Sequence, residues 1–385
     1  MRSLTRWLIA RASRDTASGQ FIAEIDGLRF IAIMSVVLFH LSWFITSKTG
    51  RTEDADLLAV VLSYGDIGVQ LFFIISGFVI ALPFAKGHLG HGQVPPLKSY
   101  LLRRLTRLEP PYIANLLIRF LLLTLVAGES PAQLLPHLLA SVFYLHNAVY
   151  GAMSSVNFVA WSLEIELQFY LLAPIISTVF RIGSKTWRRL VLVGTIVVLS
   201  LAAQRLGGTP RFDLSLLSSA QFFLTGFLLV DLYLADWGER PRRSLGGDLA
   251  SLAGWGAFCV CLGLGGNARA LIAFPMFLAY LGAFRGTWSN RFFTAPPIYI
   301  IGGMCYTIYL YHYTIISALI RPLLQFGFWH LLPVWAEILI AGLIMVPLIL
   351  LLSTLFFVAL EKPCMKKEWY RKLLARARSG VRAEA

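Results

Sequence analysis

The chain is a succession of long apolar runs separated by short basic loops, and this pattern limits its fold more than any other feature. Runs long enough to cross a bilayer fall at 28–47, 58–84, 110–127, 158–181, 189–203, 214–235, 248–264, 267–284, 297–322 and 333–360. A spanning helix needs roughly 20 apolar residues, because in hydrocarbon the backbone must bond to itself. The runs 189–203 and 248–264 are the shortest. Composition agrees, with 57% hydrophobic and 14% charged residues, against about 25% charged in a soluble domain. The expected fold is an all-α integral membrane bundle of about ten transmembrane helices, without an appended soluble catalytic domain.

One further run, 133–150, contains His137, His146 and Asn147. Basic residues decide how to read it. If this run stays on the outer side as a re-entrant or interfacial segment, 26 of the 34 Lys and Arg fall on one face. Six fall on the other face, and Arg29 and Arg119 lie within spans. Counting 133–150 as a full span would strand the later basic loops outside, against the positive-inside rule. Both termini are therefore expected in the cytoplasm. Topology also explains the net charge of +14 better than a nucleic-acid-binding stripe does.

The ends add little. Residues 1–21 form a basic N-terminal segment whose apolar centre, WLIA, is too short for a signal peptide. Residues 364–385 form a basic tail, and both ends suit interfacial anchoring. The domain between them is 22–363. Cys259, Cys261, Cys305 and Cys364 show neither disulfide-framework nor zinc spacing and read as packing residues. His88 and His91 sit in a glycine-rich loop without further ligands, so no metal is expected.

Polar residues inside the spans are the functional candidates, since ionisable groups are costly there. In LRFIAIMSVVLFH, Arg29 and His40 are eleven residues apart, about three helical turns and roughly 16 Å. With Asp26, Ile33 and Val36 they form one stripe, too far apart to touch but able to line one path. Arg29 also fits a snorkelling arginine, and His40 a hydrogen-bonded bundle histidine. As a base near neutral pH, histidine suits proton abstraction from a hydroxyl.

Three other stretches stand out. In SYLLRRLTRLEPPY, Arg103, Arg104 and Arg107 precede Pro110-Pro111, where topology alone would favour arginine. Arg104 and Arg107 nevertheless share a helix face, and arginine pairs grip phosphate bidentately. NFVAWSLEIELQFYLLAP places Glu164 and Glu166 in a span beside Trp161 and Gln168. Spacing by two residues turns them roughly 200° apart, so one faces the interior; a buried glutamate pairs with a cation or stays protonated. His40 is a plausible partner. In GGMCYTIYLYHYTII, His312 lies among Tyr306, Tyr309, Tyr311 and Tyr313. An aromatic belt accounts for the tyrosines, while Tyr309 or His312 is also suited to hydrogen-bond a sugar. Ser76-Gly77 lacks the G-x-S-x-G elbow of a serine nucleophile.

Taken in order, these blocks resemble the membrane-bound acyltransferase-3 family over about residues 22–363. EIDGLRFIAIMSVVLFH is similar to its opening arginine–histidine block, VQLFFIISGFVI to FF-x-x-SGF, and RRLTRLEPPY to R-x-x-R. WSLEIELQFYLLAP resembles WSL-x-x-E-x-QFYL, and YTIYLYHY and the terminal EKP fit the later blocks. Gln70 stands where members often carry Asp, and Leu167 where Glu is common. The alignment makes Glu166, not Glu164, the family carboxylate.

The resemblance implies transfer of an acyl group, usually acetyl, from cytoplasmic acetyl-CoA to a hydroxyl. The acceptor classes include O-antigen of lipopolysaccharide, exopolysaccharide, peptidoglycan and macrolides. A stand-alone type without an SGNH esterase-like domain is expected, in the bacterial inner membrane, acting on a glycan or lipid-linked glycan. In this reading Arg104 and Arg107, with Arg103, hold CoA phosphates, and Arg29 orients the thioester, fixed by Asp26. His40 is the general base, or carries the acyl group briefly, and Glu166 orients it. Trp161, Tyr309 and His312 contact the acceptor. A glycan transporter or flippase is the rival reading, since the same residues would serve a proton relay.

Overall fold

The computed structural model describes residues 21–51, 56–325, 329, 332–365 and 369. The basic segments expected at 1–21 and 364–385 lie, apart from a few residues, outside this range. Thirteen helices matter here: α1 (Ala23–Thr49), α2 (Gly68–His88), α3 (Leu97–Leu125), α4 (Pro131–Val142), α5 (His146–Tyr150), α6 (Trp161–Ile176) and α7 (Lys185–Leu206). The chain continues with α8 (Leu216–Ala235), α9 (Leu245–Leu264), α10 (Ala273–Arg285), α11 (Pro296–Gly303), α12 (Cys305–Leu324) and α13 (Val334–Phe356). Short helical turns join several of them, and no strand occurs among the described residues.

Among the described residues, eight helical segments are long and apolar enough to cross a membrane. They correspond to eight of the ten expected runs. The other two are helical but segmented. In 267–284 the continuous helix is only the 13 residues of α10, or about 20 Å, against a hydrocarbon core of about 30 Å. In 297–322 the helix breaks at Met304 between α11 and α12. The break follows Gly302, where an added Cβ would lie 1.7 Å from the Asp26 carbonyl oxygen. That close approach seats α11 on α1 beside Asp26. Downstream, α12 carries four tyrosines and His312 and is spent largely on the interior.

α1 is the axis of the bundle, packed by α2, α11, α12 and α13. Its stripe of Asp26, Ile33, Val36 and His40 is buried, with Arg29 half-buried. α2 crosses α8 where two glycines meet. A Cβ on Gly77 would lie 2.1 Å from the Phe223 carbonyl oxygen, and one on Gly226 would lie 2.2 Å from that of Ile74. Small residues let membrane helices approach this closely. The crossing also fixes the rotation of α2, which turns Ser76 inward.

The run 133–150 is not a span. α4 has 12 residues, about 18 Å of helix. Tyr144 then takes a left-handed backbone (φ 56°) and the five-residue α5 follows. Glu164 holds this segment down, accepting from the backbone N–H of Asn147 (2.8 Å) and of His146 (3.2 Å). The two glutamates of α6 therefore diverge as their spacing predicts. Glu164 serves the fold and Glu166 faces the interior cavity.

Candidate active site

Three helices bring the arginines and Glu166 to one cavity of about 810 Å³, its open mouth included. α1 contributes Arg29, whose guanidinium pairs with Asp26 one turn earlier. α3 contributes Arg104 and Arg107, which share a face as expected, and α6 contributes Glu166. Ser76, Ser162, Tyr170, Cys305, Tyr306, Tyr309 and Glu361 complete its polar lining, among apolar side chains from α2.

The charges are paired unevenly. Arg107 lies 3.7 Å from the buried Glu361 carboxylate, whose second oxygen accepts from Thr307 at 2.6 Å. Arg29 has Asp26. Arg104 donates only to the Val79 carbonyl (3.3 Å) and stacks its guanidinium over Tyr170, 5.5 Å from the ring centre. Among the described residues it has no carboxylate within ion-pair distance, so it is the cavity arginine most open to an outside anion. Arg103 is exposed and does not line the cavity.

Glu166 does not orient His40. Its carboxylate accepts from Ser76 Oγ at 2.5 Å and from the Tyr170 hydroxyl at 2.6 Å. His40 lies further along α1, against His312 of α12, with His312 Nε2 3.1 Å from His40 Nδ1. Depth in the bundle was legible in the sequence; which helices are neighbours was not. α12 rather than α6 packs against the His40 face of α1.

The hydrogen bonds assign the tautomers of this pair. A carbonyl oxygen only accepts. His312 Nδ1 faces the carbonyls of Ile308 (3.0 Å) and Tyr309 (2.8 Å), so it carries the hydrogen. Its Nε2 is then the lone-pair atom turned to His40. His40 Nδ1 also faces the Val36 carbonyl at 3.0 Å and so is an N–H. The lone pair of His40 therefore sits on Nε2, the atom able to take a proton. After protonation, Nδ1–H keeps both acceptors, Val36 and His312. His312, not Glu166, is thus the side chain bonded to His40.

Tyr309 links the two regions. It lines the cavity, bonds Ser162 Oγ (2.7 Å) and the Val159 carbonyl (2.6 Å), and lies 5.9 Å, ring to ring, from His312. Trp161 is outside the cavity lining; its carbonyl accepts from Asn147 Nδ2 at 2.8 Å. Ser76, Tyr170, Cys305 and Glu361 were not expected in the site. The S-G-F block around Ser76 and the E-K-P around Glu361 were visible signals. Only the fold shows that they meet.

Residues 22–354 match the family of acyltransferase domains designated acyltransferase 3. The chain belongs to this family and is a multi-pass membrane protein. It is 25% identical over 332 residues to “Putative O-acetyltransferase SACOL0978” of Staphylococcus aureus strain COL, covering 77% of this chain and 51% of that protein. It is 24% identical over 330 residues to O-acetyltransferase OatA of S. aureus strain NCTC 8325, covering 78% and 51%. The chain thus spans about half the length of the relatives it matches. No solved structure matches it.

Proposed function

We propose that the protein is an O-acetyltransferase of the bacterial inner membrane, with both termini cytoplasmic. It takes an acyl group from cytoplasmic acetyl-CoA and delivers it to a hydroxyl of an extracytoplasmic glycan such as O-antigen or exopolysaccharide. The observation that carries this reading is the succession of contacts from the cavity that holds Arg104, through Tyr309 in its wall, to the His312–His40 pair. Arg104, without a carboxylate of its own, suits a CoA phosphate. Arg107 and Arg29, held by Glu361 and Asp26, shape the wall against which the thioester lies. The relatives named O-acetyltransferases support the same chemistry.

The reaction balances simply. His40 Nε2 takes the proton of the acceptor hydroxyl, its oxygen attacks the acyl carbon, and the C–S bond to CoA breaks. The proton then passes to the thiolate that leaves. Glu166, bonded to Ser76 and Tyr170, fixes the cavity wall near the thioester.

The test offers labelled acetyl-CoA and candidate glycans to the purified protein. Labelled, covalently acylated glycan is the expected product. Movement of unmodified glycan across liposomes without acylation would replace this reading with transport.

A further inference from the structure

Arg119 is a second intramembrane arginine, on the same α3 as Arg104 but just over four turns further on. It is 8% exposed. Its Nε–H donates to the Val156 carbonyl at 2.9 Å, and its guanidinium sits 5.5 Å from the Tyr313 ring centre. Neither contact neutralises a charge. Arg29, Arg107 and Arg188 each meet a carboxylate. Among the described residues Arg119 meets none, and its two terminal nitrogens are neither bonded nor sealed from solvent. A cation kept in an apolar bundle without a counter-charge marks a functional position.

The surroundings place it at the histidine pair. Tyr313 packs edge-on against His40, 5.4 Å between ring centres. Phe158 stacks on Tyr313 at 5.8 Å and is 42% exposed. Arg119 is also held firmly. One turn earlier, Asn115 donates to the Leu310 carbonyl (2.9 Å) and accepts from Asn157 (2.6 Å), locking α3 to α12 and to the segment that carries Val156. The result is a fixed guanidinium with two unused donor groups, roofed by aromatic faces, one ring away from His40.

We infer that Arg119 binds an anionic oxygen group of the acceptor, a sugar carboxylate or a sugar phosphate, and so places the acceptor hydroxyl beside His40. That the anion belongs to an acceptor rests on the acyl-transfer reading above; that an anion binds here does not. Guanidinium donors fit carboxylate and phosphate oxygens alike, while Tyr313 and Phe158 offer ring faces to a sugar.

The experiment measures binding of glucuronic acid, glucose 1-phosphate and glucose to the full chain in nanodiscs by saturation-transfer NMR. Saturating CoA is present, to occupy the cavity arginines. One charged sugar is expected to bind about 10-fold or more tightly than glucose, and R119Q to erase that preference. R119K should keep part of it, and CoA affinity should stay unchanged in both variants. The charged sugar that is preferred distinguishes carboxylate from phosphate. Equal binding of the three sugars by the unaltered chain, or a preference that survives R119Q, overturns the inference. If R119Q does not fold, R119K decides: an unweakened preference overturns it, and a weakened one supports it. Failure of CoA to bind, with the Arg119-dependent preference intact, would sink the acyl-transfer reading and leave this site standing.

Discussion

The cavity around Arg29 and the histidine cluster around His40 share a bundle but differ in how their polar groups are partnered. In the cavity, Arg29 and Arg107 have carboxylates close by, from Asp26 and Glu361. In the cluster, two imidazoles bond to each other and to carbonyls, and among the described residues Arg119, like Arg104 in the cavity, has no carboxylate within ion-pair distance. Paired ions in low dielectric are rigid and are costly to separate. Neutral rings can gain and lose a proton without breaking a salt bridge. The difference suits one region to holding a charged donor and the other to moving a proton.

The comparison breaks most directly at His40. His40→Ala should lower acylated product by about 10²–10⁴-fold, the usual worth of a general base. The amount of protein in the membrane fraction should not change. Activity that survives would put the proton acceptor elsewhere, with Glu166 the next candidate. His312→Phe removes the Nε2 that accepts from His40 while keeping a ring in place. We expect kcat to fall by about 10–100-fold, the range of one hydrogen bond to a charged group, with the KM for acetyl-CoA unchanged. A change confined to that KM would assign His312 to the donor side.

Arg104→Gln sharpens the other half. It should raise the KM for acetyl-CoA by about 10-fold, as loss of one charge-assisted bond does, and leave kcat alone. Dephospho-CoA thioesters should feel the substitution less if Arg104 meets the phosphate they lack.

The smallest effect lies outside the spans, in the segment of α4 and α5. His146 bonds the Ala152 carbonyl at 3.0 Å and His137 at 2.9 Å, and stacks on Tyr150. Burial pushes its imidazole below the ordinary histidine value; the Ala152 carbonyl opposes this and the His137 charge adds to it. The folded chain thus binds this proton less well than the unfolded chain. Its stabilising contribution is whole above the unfolded value of about 6.5 and is lost as pH falls from there through the lower folded value. Melting temperature should fall by about 1–3 °C between pH 7.5 and 5.5, and His146→Phe should flatten that dependence. An equal slope in the variant would show that other groups cause it.

Much of this was legible one helix at a time. The spacing of Asp26, Arg29 and His40 placed them on one buried stripe, because a single continuous helix carries all three. The shared face of Arg104 and Arg107, and the divergence of Glu164 from Glu166, followed from helical geometry in the same way. The short length of α4 agrees with the count of basic loops that kept 133–150 from being a span. Ser76 was set aside for want of a nucleophile elbow, although its value here is the bond it gives Glu166. Cys305, taken as packing, lines the cavity.

The sequence by itself determined the membrane class, nearly all the helices and which residues share a face within each, because apolar length and helical periodicity are local properties. Which faces meet was decided only in the tertiary structure. Glycine approaches at Gly77 and Gly302, and the break before α12, turned Glu166 toward Ser76 and gave His40 to His312. No local pattern encodes those pairings, because they depend on how closely two helices can approach and in which register they cross.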